Sequence, residues 1–451
     1  MKKISPVDIL NRLEENGFIA YFVGGCVRDE LLHIAVNDFD IATNATPSEI
    51  ERIFAEQSLD MIGRNFGVML IDGIEVASFR SESYHIMGKP DVVLVGDFHE
   101  DSSRRDFTVN AMARTSQGTV IDYHGGLEDL ESKIIRAVGA PNERFKEDPS
   151  RILRGMYLAA RLDFKIESGT FAAMKKNRDL LRNVPPELIG KILEKVIKHN
   201  ATSKFMVFLR DSNVLDYVFP ELSHTVGLLQ NPKYHDSDVF EHTIRVVRAV
   251  ERYYPGNLVL TLSAIYHDCR KGIEGVRGIN NEGFPNDLGH EEAGVPITEQ
   301  ALRNLSFGKR IIKQVSFLVR FHGLKLVENP SQTKVKRIIR KVKDDFPDKN
   351  ALRRGLSQLI EFKKCDAEGF NPWFRQESLQ TITSVQSTLD NVLCNTIFYR
   401  SELPVNGTDL MSWGVQGKQI GEMLDYLVIE NVQDRKRVEK LLLRKGFNTG
   451  T

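Results

Sequence analysis

An apolar run that ends in two glycines constrains the start of this chain more than any other feature. Phe18–Val23 (FIAYFV) predicts a buried strand, because it is a compact apolar run bounded by glycine. Gly24 and Gly25 end the run, and the VRDELL that follows has helical character. A strand that ends in glycines and leads into a helix lets backbone N–H groups approach a phosphate. A Gly-Gly turn alone is more often structural, so its meaning depends on the neighbouring motifs.

The first 140 residues predict a small mixed α/β domain. A second strand-like run, Asp38–Thr43, is followed by Thr46, which has the residue type and spacing of a helix N-cap. Val68–Phe79 predicts a hairpin, because Asp72-Gly73 is the kind of two-residue turn that favours a type I′ connection. Thr119–Tyr123 predicts one more strand.

From about residue 143 the pattern becomes helical and β-branched runs become sparse, so the fold class is α+β. The segment 227–232 (GLLQNP) is a candidate linker. No internal repeat is present. The predicted helices include Arg151–Leu162, Leu188–His199, Phe205–Leu215 and a basic last helix, Val432–Lys445.

Composition excludes several classes of protein. Of the 451 residues, 41% are hydrophobic and 27% are charged, which is inconsistent with a disordered or collagen-like chain. Lys+Arg and Asp+Glu both number 61, so the whole chain is not a polycation, although local basic clusters can still bind nucleic acid. The four cysteines form no CxxC pair, which argues against a zinc ribbon and favours a reducing compartment. With no long apolar segment, we expect a soluble, cytoplasmic protein without a membrane span.

Asp38 and Asp40 form an Asp-x-Asp pair. Alternate residues of a strand point to the same face, so we expect the two carboxylates to lie together. Carboxylates without an obvious basic partner suit Mg²⁺, and paired metals can activate an attacking hydroxyl and stabilise a leaving oxygen. A lone Asp-x-Asp is often a solvated strand end, but the Gly-Gly motif just upstream favours the metal. Glu75 is either a third carboxylate of this site or the partner of an arginine in the same domain.

Four motifs together carry a resemblance to a known family. They are GGCVRDELL from Gly24, DFDIAT from Asp38, RRDFTVNAMA from Arg104 and EDPSRILRG from Glu147. Their order and spacing resemble the class II nucleotidyltransferases, which are the tRNA nucleotidyltransferases (CCA-adding enzymes) and the bacterial poly(A) polymerases. The resemblance covers about residues 18–222. It implies a palm-like head, a helical neck, and a helical body and tail that hold tRNA. It also implies Mg²⁺-dependent, template-independent addition of CMP and AMP from CTP and ATP to the tRNA 3′ end.

The resemblance also implies site residues. Asp38 and Asp40 would be the catalytic carboxylates that bind Mg²⁺. Asp148 and Arg151 would read the base edge, and with Arg154 they are expected on one helix face. Such a pair fits the amino group and ring nitrogen that cytosine and adenine share. The implied nucleotide-binding residues are Gly24, Gly25, Arg28, Arg105, Asp106, Asn110, Asp148, Arg151 and Arg154. Tyr157 and Leu188 depart from the family, since many members have arginine there.

Two segments bear on which member of the family this is. Residues 63–67 (GRNFG) resemble the pattern of tRNA-directed members, whereas poly(A) polymerases have a more basic run. Ser81–Phe98 is long and contains glycines, as expected of the flexible loop that full CCA-adding members use when they switch to ATP. The alternative is that this segment is only a surface connection. Members of the family that add only adenosine also have the loop. Poly(A) or A-only addition therefore stays the alternative.

A second set of residues lies further along the chain and resembles the HD-domain metal phosphohydrolases. Adjacent His-Asp supplies one imidazole and one carboxylate to a metal, and the other residues would complete a site for one or two transition metals. The alternative is a scaffold for RNA whose histidines are satisfied in its core. The residues are His242, His267, Asp268, His290, His322 and Asp366.

The two resemblances predict four domains. They are a nucleotidyltransferase head over 1–140, a helical neck with base recognition over 141–225, a helical HD-type domain over 226–375 and a helical tail over 376–451.

A basic segment between Lys334 and Lys364 contains eleven Lys/Arg against four Asp/Glu. Its side chains either contact tRNA phosphates or form solvated helix faces. The expected partners are tRNA, CTP and ATP, and no protein partner is predicted. Two alternatives come from other classes of protein. The chain is mainly a metal phosphohydrolase that acts on nucleotides or 2′,3′-cyclic phosphates, or it is an RNA-binding protein whose active site no longer functions.

Overall fold

A computed structural model describes residues 3–36, 38–60, 67–87, 89–94 and 96–447. The chain forms two compact units, one of Met1–Ser223 with Asn304–Ser306 and one of His224–Arg303 with Phe307–Thr451. Among the described residues, no helix combines the length and the hydrophobicity that crossing a membrane requires. The predicted boundary between residues 225 and 226 lies close to the division between the units at Ser223 and His224. The finer division into four domains stays a prediction.

The first unit is built around a mixed sheet with the strand order β3-β4-β5-β2-β1-β8-β9. The hairpin β6/β7 and the pair β10/β11 lie outside that sheet. The strands are β1 (Ala20–Val23), β2 (Asp40–Thr43), β3 (Leu59–Asp60), β4 (Val68–Ile71), β5 (Ile74–Ser78), β6 (Arg80–Ile86), β7 (Lys89–Leu94), β8 (Ala113–Arg114), β9 (Val120–Ile121), β10 (Ile134–Ile135) and β11 (Lys165–Ile166).

Helices cover the sheet and make up the rest of the first unit. They are α1 (Pro6–Glu15), α2 (Gly25–Leu31), α3 (Pro47–Ile53), α4 (Phe98–Ser103), α5 (Gly126–Glu131), α6 (Pro141–Glu147), α7 (Ser150–Leu162), α8 (Ser168–Lys176), α9 (Pro186–Lys198), α10 (Thr202–Asp211) and α11 (Leu215–Val218).

The second unit is almost wholly helical in the part that the structure describes, apart from the short hairpin of β12 (Arg277–Ile279) and β13 (Pro285–Asp287). Its helices are α12 (Val239–Tyr253), α13 (Leu258–Tyr266), α14 (His290–Asn304), α15 (Lys309–Phe321), α16 (Gln332–Val342), α17 (Lys349–Ala367), α18 (Pro372–Asn395), α19 (Gly407–Ser412), α20 (Lys418–Ile429) and α21 (Arg435–Arg444). The α+β fold class is thereby confirmed.

Two local predictions in the first unit are confirmed. β4 and β5 form the predicted hairpin, and Asp72 and Gly73 have φ of 50° and 91°, the two positive values that a type I′ turn requires. Thr46 caps α3 in a reciprocal capping box, because its side chain accepts from the backbone N–H of Glu49 while the Glu49 carboxylate accepts from the backbone N–H of Thr46.

The Asp-x-Asp motif does not lie wholly within a strand, which corrects the prediction. β2 begins at Asp40, which pairs with Val23, the last residue of β1. Gly24 has φ of 74°, so the chain leaves the sheet after Val23. Asp38 therefore has no β1 residue opposite it and precedes the strand.

The segment Ser81–Phe98 is also more regular than the loop that was predicted. β6 and β7 pair antiparallel, with Arg80 opposite Leu94 and a register shift between Ser83 and Ile86. Because β6 directly follows β5, this hairpin extends from the sheet instead of forming an irregular connection.

Helix boundaries differ from the prediction at two places. Asp148 is the C-cap of α6 in an extended conformation, so it is not on the same helix as Arg151 and Arg154, which belong to α7. α10 ends at Asp211, before the predicted Leu215, because Asn213 has φ of 58° and turns the chain out of the helix.

Candidate functional sites

The Gly-Gly turn places backbone next to charged side chains of the first unit. A Cβ atom on Gly24 would lie 3.3 Å from Nη1 of Arg105 and 3.9 Å from Oδ2 of Asp40. Combined with its positive φ, this close approach explains why glycine is needed there. α2 begins at Gly25 with no side-chain cap, so its first N–H groups have no capping partner.

Three carboxylates lie near this turn. Asp40 is opposite Glu75 in the parallel register of β2 and β5. Burial, Glu75 and Asp38 raise the pKa of Asp40 to about 6, although Arg105 and Lys195 oppose the rise. Carboxylates that disfavour each other's charge form a site that favours a divalent cation, and oxygen ligands fit Mg²⁺. The charge of Glu75 also acts on Arg80, where it opposes the lowering of the arginine pKa by burial, so both predictions for Glu75 stay open.

A cavity of about 410 Å³ opens beside the Gly-Gly turn. Five arginines and three acidic residues line it, so it has a positive character that suits phosphates. Its lining residues are Gly24, Gly25, Arg80, Glu82, Tyr84, Arg104, Arg105, Asp106, Asn110, Asp148, Arg151 and Arg154. Eight of the nine predicted nucleotide-binding residues are therefore brought together here. The exception is Arg28.

The fully buried Asp101 orients two of the arginines in this cavity. Arg104 Nη2 donates to Oδ1 of Asp101 at 2.8 Å, and Arg105 Nη2 donates to Oδ2 at 2.9 Å. Although burial acts in the opposite direction, the two guanidinium groups lower the pKa of Asp101. The arginines are thus held by a charged, hydrogen-bonded carboxylate that the sequence patterns did not single out.

Arg154 connects two predicted site residues. Its Nε donates to Oδ2 of Asp106 at 3.1 Å, and its Nη1 donates to Oδ2 of Asp148 at 3.0 Å. Oδ1 of Asp148 accepts from the backbone N–H of Ser150 at 2.9 Å, which fixes the carboxylate at the start of α7. Arg154 is half-buried, and both residues of this pair line the cavity.

Arg151 does not pair with Asp148, which corrects the predicted contact. Arg151 is buried, and its Nη1 donates to Glu147 at 2.7 Å while its Nη2 donates to Oη of Tyr84 at 3.2 Å. Because Asp148 lies in the extended link before α7, its carboxylate reaches Arg154 instead. The carboxylate–guanidinium pair of this site is therefore Asp148–Arg154.

Arg28 lies in a neighbouring cavity of about 360 Å³. Its Nε donates to Oδ1 of Asp29 at 2.8 Å, and its Nη1 donates to Asn110. Asn110 lines both cavities and connects Arg28 to the first one. Tyr157 and Leu188, the two positions that depart from the family pattern, line the second cavity together with Lys191 and Lys195 of α9.

The hairpin supplies site residues that sequence reasoning missed. Arg80, Glu82 and Tyr84 alternate along β6 and all line the first cavity. Tyr84 donates to Glu82 at 2.7 Å, and burial together with this contact raises the pKa of Tyr84. Their period of two is the signal that identifies them, since alternate strand residues share a face.

The histidine cluster of the second unit divides into two sets of three ligand atoms. Each set brings its atoms within 4.8 Å of one another, and these are the only such sets among the residues that the structure describes. The first set is His242, His267 and Asp366, and the second is Asp268, His290 and His322. All six predicted residues are thus gathered, whereas Asp38, Asp40 and Glu75 are near neighbours that do not converge on one point.

Asp268 lies between the two sets. Its Oδ2 is 3.2 Å from Nε2 of His267 and its Oδ1 is 3.1 Å from Nε2 of His290. The Nζ of Lys271 is 2.8 Å from Oδ2 of the same carboxylate. A carboxylate with one oxygen toward each set has the position of a bridging ligand.

Backbone carbonyl groups fix the orientation of three imidazoles. Nδ1 of His267, His290 and His322 lies 2.9, 2.6 and 2.7 Å from the carbonyl oxygens of residues three positions earlier. Donation from Nδ1 leaves each Nε2 as a lone pair that faces the cluster, and Nε2 of His290 and Nε2 of His322 are 3.1 Å apart. Two lone pairs at that distance repel each other unless a cation lies between them. The donor set and its tautomers therefore fit transition-metal binding.

Two family models match parts of the first 225 residues. Residues 20–136 match the family model described as Poly A polymerase head domain, and residues 163–225 match the one described as Probable RNA and SrmB-binding site of polymerase A.

Curated relatives match a little under half of the chain. The CCA-adding enzyme of Limosilactobacillus fermentum is 44% identical over 211 residues, which are 46% of this chain and 52% of that protein. The CCA-adding enzyme of Streptococcus pneumoniae is 41% identical over 216 residues, 47% of this chain and 54% of that protein. The chain thus spans about half the length of the curated relatives it matches.

Solved structures resemble the whole chain in fold. The Bacillus stearothermophilus CCA-adding enzyme in complex with CTP has a TM-score of 0.65 at 23% identity, over 98% of both chains. The Thermotoga maritima CCA-adding enzyme complexed with tRNA has a TM-score of 0.56 at 18% identity, over 98% of this chain and 97% of that one. At these identities the likeness concerns the fold alone.

Proposed function

We propose that this chain, whose first half belongs to the family of CCA-adding enzymes and poly(A) polymerases, is a tRNA nucleotidyltransferase that adds CMP and AMP from CTP and ATP to the 3′ end of tRNA. The observation that carries the proposal is the position of Asp40 and Glu75 beside the Gly-Gly turn of an arginine-lined cavity. The names of the curated relatives support CCA addition over poly(A) addition. The segment 63–67 that also bears on this choice includes Gly63–Phe66, which lie outside the described residues.

Asp38 and Asp40 are the proposed holders of Mg²⁺. Bound there, Mg²⁺ would supply charge that stabilises the triphosphate and favours ionisation of the tRNA 3′ hydroxyl. The protein contributes position and charge: Arg104 and Arg105, oriented by Asp101, face the cavity and would bind phosphate oxygens. The backbone N–H groups at Gly25 would bind the same triphosphate.

Base selection is proposed to depend on Asp148 and Arg154. A carboxylate accepts a hydrogen bond from an amino group, and a guanidinium donates to a ring nitrogen or carbonyl. Cytosine and adenine present an amino group beside a ring nitrogen, whereas uracil and guanine present a carbonyl there. The hydrogen bond between Arg154 and Asp148, at 3.0 Å, holds both groups at one wall of the cavity.

The test of the chemistry is Asp40→Ala. We expect addition of CMP to a tRNA lacking its 3′ end to fall to less than about a tenth of the wild-type single-turnover rate in Mg²⁺, because a metal site supplies several kcal/mol. Binding of tRNA should be largely unchanged. Asp211→Ala, which removes an exposed carboxylate next to Arg210, is the matched control and should keep the wild-type rate. Retention of a tenth or more of the rate by the Asp40 variant would overturn the metal assignment.

A second candidate function is supported by the histidine cluster. Two sets of imidazole and carboxylate ligands, with Asp268 in contact with both, suit an HD-type metal phosphohydrolase acting on phosphate esters. After loading with Mn²⁺ or Ni²⁺, elemental analysis should find metal in the wild-type chain and less in His267→Ala, with the rate of CMP addition unchanged. His99→Ala, an exposed histidine of the first unit, is the control. A wild-type chain that retains no transition metal would favour the RNA scaffold instead.

A further inference from the structure

The second unit contains a cavity that no proposed function uses. It has a volume of about 990 Å³ and lies between α14, α15, the segment 345–347 and α17. It shares no lining residue with the arginine-lined cavity of the first unit or with the cavity of the histidine cluster. Its volume is at the upper end of the range of about 300–1,000 Å³ that is typical of small-molecule sites.

The charged residues of this cavity leave a large positive excess. Six arginines and lysines line it against Glu299 and Asp345, which gives a formal charge of +4. Arg303 pairs with Glu299, and Arg320 lies 3.6 Å from Asp345. Lys309, Arg310, Lys313 and Arg354 make no ion pair or hydrogen bond with any described residue, so their charges remain available to a ligand.

The apolar wall of the cavity is aromatic. Phe317 and Phe346 meet edge to face with their ring centroids 4.8 Å apart. Phe346 packs on Gly355. A Cβ atom on residue 355 would lie 2.1 Å from the Phe346 ring, so the ring can occupy this position only because residue 355 is glycine. An aromatic surface beside unpaired cations is the combination that binds a base by stacking and its phosphates by charge.

A buried hydroxyl lies behind the lining of the cavity. Ser316 lines the cavity with only 6% of its surface exposed, and its Oγ has no hydrogen-bond partner among the described residues. Helical serines usually satisfy this group on the carbonyl four residues earlier, and a buried polar group without a partner is costly. Because this Oγ is itself shielded from solvent, it shows unpaired polarity behind the lining and is not by itself a contact for a ligand.

We infer that this cavity binds a nucleoside phosphate, with the base against Phe346 and the phosphates among Lys309, Arg310, Lys313 and Arg354. Gln314 and Gln358, which also line the cavity, offer amide groups to the base edge. A nucleoside triphosphate carries up to four negative charges, which match the +4 of the lining. The same chemistry is present in a free nucleotide and in a nucleotide of an RNA strand.

The test is photolabelling of the full chain with 8-azido-ATP in one arm and with a five-nucleotide RNA containing 4-thiouridine in the other, followed by peptide mapping. We expect label in residues 309–320 or 346–358 in at least one arm, and the arm identifies the source of the nucleotide. Label at the cavity of the first unit is an internal standard and reports separately on the proposed transferase site.

The decisive variant is the double change Lys313→Glu with Arg354→Glu. It should raise the probe concentration for half-maximal labelling of the second unit by at least about tenfold, because it removes two charged contacts and adds repulsion. Lys334→Glu with Arg337→Glu makes the same charge change on exposed α16 residues outside the cavity and should leave labelling by 8-azido-ATP unchanged. In the RNA arm, where these residues can contact phosphates, this variant should leave the position of the label unchanged. Melting curves check that both variants are folded, and Gln358→Ala provides a second test with no charge change, expected to weaken labelling severalfold. No label in these segments in either arm, or label that the double variant leaves unchanged, would overturn the inference.

Discussion

The sharpest prediction concerns Asp148→Asn. Asparagine keeps an oxygen that can accept from the backbone N–H of Ser150, so the turn before α7 should survive. The atom that accepts from Arg154 at 3.0 Å, however, becomes either a neutral oxygen or an amide N–H₂ that faces a guanidinium. We expect the variant to lose preference for CTP and ATP over UTP and GTP while it keeps its metal-dependent chemistry.

The magnitude follows from the burial of the pair. The Asp148 and Arg154 side chains are 21% and 37% exposed, between a surface pair worth up to about 1 kcal/mol and a buried pair whose disruption costs about 3–5 kcal/mol. A loss of about 1–3 kcal/mol is about tenfold to a hundredfold in discrimination.

The assay is single-turnover incorporation of all four nucleotides into a tRNA that lacks its 3′ end. Asp163→Asn is the matched control, because it makes the same chemical change at an exposed ion pair with Lys204 and at a φ of 57° that asparagine tolerates. Its nucleotide preference should equal that of the wild type. Unchanged preference in Asp148→Asn would refute base reading by this carboxylate and leave Asp148 as a residue that only orders the turn.

Three further predictions concern positioning and stability. Asp101→Asn should raise KM for CTP by at least about tenfold with a smaller change in kcat, because the hydrogen bonds that orient Arg105 weaken; equal effects on KM and kcat would contradict a positioning role. Glu167→Ala should lower the free energy of unfolding by about 1 kcal/mol, since its carboxylate caps α8. The cap lowers the pKa of Glu167 from 4.5 to about 2, so the contribution is complete above pH 4.5 and is lost as the pH falls toward 2; a difference between variant and wild type that persists at pH 2 would refute it. Gly126→Ala should destabilise the first unit by about 1–3 kcal/mol in urea unfolding, because its Cβ would lie 2.4 Å from the carbonyl oxygen of Thr108, and a neutral result would show that the backbone can move there.

Local signals in the sequence predict much of the first unit. The Asp72-Gly73 turn and the Thr46 cap depend on residues within four positions of one another, and both are confirmed. The cavity beside Gly24 gathers eight of the nine residues that the resemblance implied as nucleotide-binding. Their roles stay proposals.

Tertiary contacts account for what the sequence did not predict. Asp148 and Arg151 have the spacing of helix neighbours, but a bend at Asp148 separates them and gives each a different partner. Asp101 is important because it is buried between two arginines, which no local pattern shows. Tyr84 belongs to the cavity because β6 pairs with β7 in a hairpin, whereas the sequence predicts a loop for this segment.

In the second unit too, the sequence motif predicted which residues come together but not how they are arranged. The order of its histidines and aspartates predicted the cluster, and all six residues are gathered. The separation into two sets with Asp268 between them depends on how five helices and their ends pack, and the sequence does not contain that distance information.

The most direct test of the central claim uses three tRNAs whose 3′ ends carry none, one or both of the terminal cytidines. Each is incubated with CTP, ATP or both, and the products are resolved at single-nucleotide length. We predict that CTP alone extends the first two tRNAs to the second cytidine, that ATP alone adds one adenosine only to the third, and that both together complete every tRNA and then stop. Long adenosine runs on any of the three, or addition restricted to the final adenosine, would contradict CCA addition and identify a poly(A) or A-adding enzyme instead.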